Sequence, residues 1–232
     1  MNTADTVTSS LKIKTLLSFV ELIAIIVLFL FVPAGSFNFW EAWVYSIIYV
    51  VSSTMITYYL WKTNLELLAR RVNGGPGAEK EKAQKITHFF VILLFIAFLV
   101  ISALDHRFGW SYVPFYIVVL GDVLVVSGFY LLFLVFRENA FASSIVEVTA
   151  NQKVITTGPY SIVRHPLYVS GLIIMLGTPL ALGSWWGLLI FIPLTLVILW
   201  RLLDEEKFLS KNLQGYTEYC QKVRYRLIPF LW

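Results

Sequence analysis

Residues 167–203 read LYVSGLIIMLGTPLALGSWWGLLIFIPLTLVILWRLL. The stretch holds two apolar segments, Leu167–Leu182 and Trp185–Leu203, and only Gly183 and Ser184 separate them. So short a turn between two apolar segments of helical length predicts a tight helical hairpin rather than a loop between distant helices. Because the first segment is short for a membrane crossing, we expect it to be tilted or shielded by neighbouring helices.

Four further apolar segments precede this hairpin. Each is long enough to cross a hydrocarbon core, which needs roughly 20 helical residues. The chain of 232 residues is 58% hydrophobic and 14% charged, and a soluble domain of this length could not bury so much apolar surface. The sequence predicts an all-α fold, a polytopic transmembrane bundle of about six segments whose last two form the hairpin. The four earlier segments are Thr15–Val32, Trp40–Trp61, Ile86–Leu104 and Tyr112–Phe136.

The basic residues lie almost entirely on one side of a six-crossing topology. Of the 18 Lys and Arg residues, all but Arg107 fall on the side of the N-terminus. Since cytoplasmic loops are enriched in Lys and Arg, both termini and the motifs discussed next are predicted to be cytoplasmic. The net charge of +4 fits a membrane surface and not a nucleic acid, because the basic residues are not gathered in one block.

A polar stretch that ends in TGPYSIVRHPLY, Thr157–Tyr168, leads into the hairpin. Pro166 disfavours an α conformation at His165 and suits the first position of a helix, so a helix is predicted to start there with His165 as its cap. The free backbone amides of the next three residues would then suit a carboxylate or phosphate. A plain capped helix start, with Tyr160 and Tyr168 as interfacial aromatics, explains the pattern equally well.

Arg201 and Glu205 lie at the other end of the hairpin. They are four residues apart and share a helix face, so a surface ion pair is the simplest explanation for them. A hairpin would nevertheless return this helix to the membrane face where His165 lies, which predicts a single pocket. In that pocket Glu205 could accept from an ammonium group or hydroxyls, and the fork of Arg201 matches a carboxylate.

Three motifs of the C-terminal part of the chain together resemble a known family. They are G-P-Y-x-x-x-R-H-P-x-Y at Gly158–Tyr168, E-E-x-x-L at Glu205–Leu209, and Gly215-Tyr216-x-x-Tyr219 followed by Arg224-x-Arg226-Leu227-Ile228-Pro229. The family is that of isoprenylcysteine carboxyl methyltransferases and their phospholipid methyltransferase relatives. The resemblance implies an integral membrane enzyme that uses S-adenosylmethionine to methylate a carboxylate of a lipophilic, isoprenylcysteine-like substrate.

The resemblance also implies roles for particular residues. Arg201 would contact the substrate carboxylate, and this sequence has Gln152 where eukaryotic members often have histidine. Residues 1–136 would supply transmembrane helices and substrate access, and residues 137–232 the cofactor-binding catalytic region. The residues implied to hold the cofactor are Gln152, Lys153, Val154, Ile155, Tyr160, His165, Pro166, Leu167, Tyr168 and Glu205.

Other functions remain open beside this one. A carboxylate acceptor is ionised near neutral pH and needs no general base, whereas an amine acceptor, as in a phospholipid, would need one, with His165, Tyr160 and the carboxylates of the pocket as candidates. An NAD(P)H-dependent sterol-type reductase also uses R-H-P-x-Y, but there asparagine typically follows the proline, where this sequence has Leu167. A transporter or scaffold would predict more ionisable or helix-breaking residues at mid-membrane than Asp122.

Three lesser features complete the sequence-based predictions. Asp122 is expected to form a hydrogen bond to a neighbouring helix in preference to lining a substrate tunnel. Residues 79–85 alternate charges at helical spacing and are predicted to form a solvated interfacial helix. His88 and His106 lack Cys or His partners at ligand spacing, so no metal site is predicted. The predicted partners are a lipophilic or prenylated substrate and membrane lipids.

Overall fold

The computed structural model describes residues 3–75, 77–79, 81–149 and 152–232. These residues form α-helices, one short 3-10 turn at Gly158–Ser161 and no strand, which confirms the all-α prediction. Lys80, one of the basic residues counted in the topology, lies outside the described residues. The helices are α1 (Thr3–Ala34), α2 (Trp40–Thr63), α3 (Leu65–Val72), α4 (Lys82–Phe108), α5 (Phe115–Glu138), α6 (Pro166–Ala181), α7 (Trp185–Asn212) and α8 (Tyr216–Lys222).

Five of the described helices, α1, α2, α4, α5 and α7, are long and apolar enough to cross a membrane. Large apolar side chains such as Leu16, Met55, Phe115 and Leu196 are exposed along them, as expected for surfaces that face lipid. The sixth apolar helix, α6, has 16 residues and covers about 24 Å, less than a hydrocarbon core of about 30 Å. Because α5 and α7 pack against it, α6 is shielded as predicted, and the polytopic bundle is confirmed.

The turn at residues 182–184 confirms the helical hairpin. Gly183 has a φ of +67°, a left-handed conformation that glycine adopts without strain. Ser184 caps α7, since its hydroxyl oxygen accepts from the Gly187 amide at 3.0 Å. The same hydroxyl donates to Asp105 near the end of α4, at 2.5 Å, and Asp105 also accepts from Ser111. The closed end of the hairpin is therefore fixed to the α4–α5 connection.

The backbones of helices α5 and α6 are in close contact at glycine residues. A Cβ atom added to Gly121 of α5 would lie 2.2 Å from the backbone nitrogen of Ala181 in α6. A Cβ atom on Gly177 of α6 would in turn lie 2.7 Å from the carbonyl oxygen of Gly121. Such small-residue contacts are typical of packed membrane helices. Asp122, beside this contact, has a buried Oδ1 with no partner among the described residues, so the structure gives no interhelical hydrogen bond for that atom.

The open end of the hairpin is extended by residues outside the predicted apolar segments. Helix α7 continues to Asn212, so that Glu205 and Glu206 stand on it beyond the predicted end at Leu203. The C-terminal tail folds back onto the start of α6, where the amides of Arg164 and His165 donate to the carbonyls of Tyr225 and Arg226 at 2.9 and 3.0 Å. This arrangement brings the C-terminal motifs together.

Candidate functional site

Two cavities adjoin at the open end of the hairpin. The first, which we call the polar cleft, encloses about 770 Å³ of empty space including its mouth. All of the predicted cofactor residues except Pro166 line it, namely Gln152, Lys153, Val154, Ile155, Tyr160, His165, Leu167, Tyr168 and Glu205.

The second cavity, which we call the apolar cavity, lies between the membrane helices and has about 1040 Å³ of empty space including its mouth. Six residues line both cavities and form the wall between them, namely Ser143, Ile145, Val146, Leu167, Tyr168 and Glu205. Arg201 lines the apolar cavity and does not line the polar cleft that holds the predicted cofactor residues. The remaining lining includes the apolar Val91, Leu132, Met175, Leu194 and Ile198 and the polar Arg71 and His88.

The hydroxyl of Tyr168 connects Arg201 and Glu205 across this wall. It donates to Glu205 Oε2 at 2.5 Å and accepts from Arg201 Nε at 3.2 Å. The predicted neighbourhood of the helix start and the Arg201/Glu205 couple is therefore present. A direct ion pair between Arg201 and Glu205, the simplest explanation from sequence, is not formed among the described residues, because Tyr168 stands between them.

Arg201 instead pairs with Glu79, which the sequence analysis missed. Arg201 Nη2 lies 2.5 Å from Glu79 Oε1, and Nη1 donates to the Gln84 carbonyl at 3.0 Å. With Nε directed at Tyr168, each nitrogen of the guanidinium has a partner within the chain. The fork that sequence reasoning assigned to a substrate carboxylate is thus engaged by Glu79.

Glu79 is a buried carboxylate. The prediction that residues 79–85 form a solvated helix is therefore wrong at this residue. Its side chain is fully buried; the Val146 amide donates to Oε2 at 3.1 Å, and His88 Nδ1 lies 3.2 Å from Oε1. Burial raises the pKa of Glu79, but hydrogen bonds from His88 and Arg201, the charge of Arg201 and the Val146 amide outweigh it. The pKa therefore lies below its usual value, and the carboxylate stays ionised beside Arg201.

The start of α6 agrees with the predicted position but not with the predicted free amides. The helix begins at Pro166 with His165 as N-cap, and no side chain caps it. The amides of Tyr168 and Val169 both donate to the His165 carbonyl at 3.1 Å. Two of the three amides expected to meet an anion are therefore satisfied within the chain, because the first turn closes on its own N-cap carbonyl.

The His165 side chain is directed at Glu206, which gathers three basic side chains. His165 Nε2 lies 3.2 Å from Glu206 Oε1, Arg164 donates to the same oxygen at 2.7 Å, and Arg226 donates to Oε2 at 2.8 Å. This network ties the R-H-P motif, α7 and the C-terminal tail together. It explains why Arg164 and Arg226 accompany Glu206 in the sequence motifs.

Three tyrosines line the polar cleft on the side of the C-terminal tail. Tyr160 accepts from Asn139 Nδ2 at 2.8 Å, and the Tyr219 hydroxyl donates to the Tyr160 carbonyl at 2.8 Å. The Tyr216 hydroxyl is buried and has no partner among the described residues. Burial, reinforced by Cys220 and Glu206, raises the pKa of Tyr216, so the hydroxyl remains a donor at neutral pH. The G-Y-x-x-Y motif signalled Tyr216 and Tyr219, although the sequence analysis gave these two residues no role.

Comparison with known proteins relates part of the chain to a methyltransferase family and to a sterol reductase. The sequence pattern of the phospholipid methyltransferase family matches residues 116–215, from the second residue of α5 to the residue before α8. This match confirms the resemblance predicted from the motifs, and it contains every predicted site residue. The Delta(14)-sterol reductase of Mus musculus is 30% identical over 105 residues, which are 42% of this chain and 25% of that relative. The aligned part of the chain thus spans about a quarter of the relative's length.

Proposed function

Because residues 116–215 match the phospholipid methyltransferase family, we propose that the protein is an integral membrane methyltransferase that uses S-adenosylmethionine. In this proposal the polar cleft holds the methyl donor, and the apolar cavity holds a lipophilic acceptor with a carboxylate, as in an isoprenylcysteine. The observation that carries the proposal is the wall that both cavities share, which includes Leu167, Tyr168 and Glu205. Two reactants on opposite sides of one wall have the proximity that a transfer reaction requires.

The lining of the polar cleft suits the methyl donor. When bound, S-adenosylmethionine supplies an electrophilic methyl group on a positively charged sulfur. Glu205 offers an acceptor for its ammonium or ribose hydroxyls, and the amide-bearing segment Gln152–Ile155 offers backbone groups. The buried Tyr216 hydroxyl without a partner among the described residues is a donor that a ligand would satisfy.

The apolar cavity suits a lipid-like acceptor. Its walls come from α4, α5, α6 and α7, so a chain-like substrate would enter sideways between membrane helices. We assign this access role to residues 1–136, because α4 and α5 contribute Val91 and Leu132 to the walls. Methylation of a carboxylate moves no proton, so residues 137–232 need only bind and orient the two reactants and exclude water. An amine acceptor, as in a phospholipid, would additionally require a base.

Binding and turnover together test the proposal. Detergent-solubilised protein should release or take up heat when titrated with S-adenosylmethionine, and should transfer a tritiated methyl group to N-acetyl-S-farnesylcysteine. Glu205→Gln should lose cofactor binding, whereas Glu218→Gln, an exposed residue of α8, should keep it. No binding at millimolar S-adenosylmethionine would overturn the proposal. Methylation of phosphatidylethanolamine in place of the carboxylate would keep the enzyme class and change the acceptor.

A membrane reductase is the second candidate, and the similarity to the sterol reductase favours it. A reductase would require a nicotinamide cofactor in the same polar cleft. Titration with NADPH in parallel with S-adenosylmethionine separates the two functions. If NADPH protects the protein against thermal unfolding and S-adenosylmethionine does not, the reductase becomes the first candidate and the methyltransferase the second.

We further propose that the termini and the polar cleft face the cytoplasm, because all Lys and Arg residues but Arg107 fall on that side. Cysteine labelling of intact cells tests this orientation in a Cys220→Ala background. A membrane-impermeant maleimide should label Tyr112→Cys, which lies exposed on the opposite side, and should not label Gln214→Cys. The reverse labelling pattern would overturn the orientation without affecting the proposed reaction.

A further inference from the structure

The apolar cavity is lined by two arginines whose partners differ. Arg201 has its ion pair with Glu79 inside the chain. Arg71, at the end of α3, has no carboxylate partner among the described residues. Glu205 also lines this cavity, where it accepts from Tyr168, but it forms no ion pair with Arg71 among the described residues. A guanidinium in a largely apolar cavity without a paired carboxylate is costly, unless a bound group supplies the charge.

The guanidinium of Arg71 is held in a fixed position. Its Nη1 donates to the Ala142 carbonyl at 3.2 Å, and its Cζ lies 4.3 Å from the centre of the Phe136 ring. The Arg71 carbonyl accepts from the Ser144 hydroxyl at 3.4 Å, so the main chain is held as well. Burial lowers the pKa of Arg71 to about 10, which still leaves the side chain charged near neutral pH. A charged fork that is already oriented loses little entropy when it binds a planar anion.

The neighbouring Arg70 shows that this arrangement is particular to Arg71. Arg70 is the partner of Glu66 at 3.9 Å, and its Nη2 donates to the Ala140 carbonyl at 2.5 Å. It does not line the apolar cavity. The two adjacent arginines therefore contact the same segment of chain, but only one of them faces the space proposed for the acceptor.

We infer that Arg71 binds an anionic oxygen group of the acceptor, a carboxylate or a phosphate, within the apolar cavity. The inference rests on the proposed function, because it takes that cavity as the acceptor site. The chain of the acceptor would lie along Met175, Leu194 and Ile198, and its anionic group would meet Arg71. Arg201, which Glu79 engages, would then hold Tyr168 and Glu205 in place and would not bind the acceptor directly.

Binding of defined lipids to the detergent-solubilised full chain tests this inference without requiring turnover. The carboxylate probe is N-acetyl-S-farnesylcysteine, and its methyl ester is the neutral control. The phosphate probe is oleoyl lysophosphatidic acid, and monoolein is its neutral control. The wild-type chain should bind at least one anionic probe roughly tenfold or more tightly than the matching neutral lipid, as a charge-assisted hydrogen bond would give. The probe that shows the preference identifies the group.

Variants then assign the preference to Arg71. Arg71→Gln should abolish it with little change in binding of the neutral lipid, and Arg70→Gln should retain it. An unchanged preference in Arg71→Gln, an equal loss in Arg70→Gln, or no preference in the wild-type chain would overturn the inference. Should Arg71→Gln not fold, Arg71→Lys keeps the charge and loses the fork, and unchanged anion affinity in that variant would overturn it.

The same samples distinguish this inference from the proposed function. Titration with S-adenosylmethionine reports on the polar cleft, which Arg71 does not line. Absence of S-adenosylmethionine binding in the wild-type chain would count against the methyltransferase alone. Loss of anion preference in Arg71→Gln, with S-adenosylmethionine binding intact, is the result expected if both are right.

Discussion

The hydroxyl of Tyr168 donates a hydrogen bond to Glu205 at 2.5 Å, and this bond lies in the wall between the polar cleft and the apolar cavity. The same oxygen accepts from Arg201 at 3.2 Å. Tyr168 thereby fixes an acidic group that faces the polar cleft relative to a basic group that faces the apolar cavity. Neither α6 nor α7 alone could create this arrangement, because it needs the hairpin to return to the same membrane face.

Tyr168→Phe removes this hydroxyl, so Glu205 and Arg201 each lose a hydrogen bond. A hydrogen bond to a charged group contributes about 1.5–3 kcal/mol, so methyl transfer should fall roughly tenfold to a hundredfold. Turnover with a tritiated methyl donor measures the effect. Tyr116→Phe, on the exposed surface of α5, is the matched control and should leave turnover unchanged. Equal turnover in both variants would show that the hydroxyl has no part in the reaction.

Glu79→Gln removes the charge that Arg201 faces. Breaking a buried ion pair from one side costs about 3–5 kcal/mol, so the thermal unfolding midpoint of the variant should be clearly lower at pH 7. Glu66→Gln is the control, because the Glu66 side chain is 82% exposed and 3.9 Å from Arg70. A midpoint lowered equally by both variants would contradict a specific role of the buried pair.

The stability that Glu79 contributes should also depend on pH in one direction. Its pKa in the folded chain lies below the ordinary value of 4.5, so the unfolded chain takes up a proton more readily. The advantage of the wild-type chain over Glu79→Gln should be complete above about pH 4.5 and should shrink as the pH falls through the lowered pKa. Unfolding midpoints of both chains across this range measure it, and a gap that widens on acidification would contradict the assignment.

Gly121→Ala should weaken the contact between α5 and α6. The added Cβ would lie 2.2 Å from the backbone nitrogen of Ala181, which cannot move without moving the hairpin. Overpacking of this kind costs about 1–3 kcal/mol, so the unfolding midpoint should fall by several degrees. Gly171→Ala in α6 is the control, since its Cβ would meet nothing within 4 Å, and its midpoint should not fall. A loss in the control but not in Gly121→Ala would contradict the observed packing.

The sequence predicted the hairpin and its open end because both follow from local chemistry. Two apolar segments around Gly183 and Ser184 have few ways to fold, and Pro166 marks a helix start. Once these positions are set, Tyr168 and Glu205 must come close. The sequence could not predict the partner of Arg201, because Glu79 is 122 residues away in the chain, within a charged stretch whose pattern predicts exposure to solvent.

Periodicity and composition also do not predict which backbone amides and which cationic side chains have partners within the chain. The amides of Tyr168 and Val169 were expected to be free, but the turn geometry of α6 directs both to one carbonyl. Arg71 and Arg70 are equivalent in sequence, and only the packing of α3 against residues 140–144 turns one of them toward the apolar cavity. Such differences depend on tertiary contacts, which a single sequence does not encode in any local pattern.

Tyr216→Phe should change ligand affinity and Tyr219→Phe should change stability, although both tyrosines lie on α8. The Tyr216 hydroxyl is buried beside the polar cleft with no partner among the described residues, so its removal should cost no stability and should weaken binding of S-adenosylmethionine about fivefold. The Tyr219 hydroxyl donates to the Tyr160 carbonyl at 2.8 Å, and its removal should cost about 1 kcal/mol of stability. Calorimetric titration and thermal unfolding of both variants separate the two roles. Unchanged affinity in Tyr216→Phe would mean that the bound molecule does not use this hydroxyl.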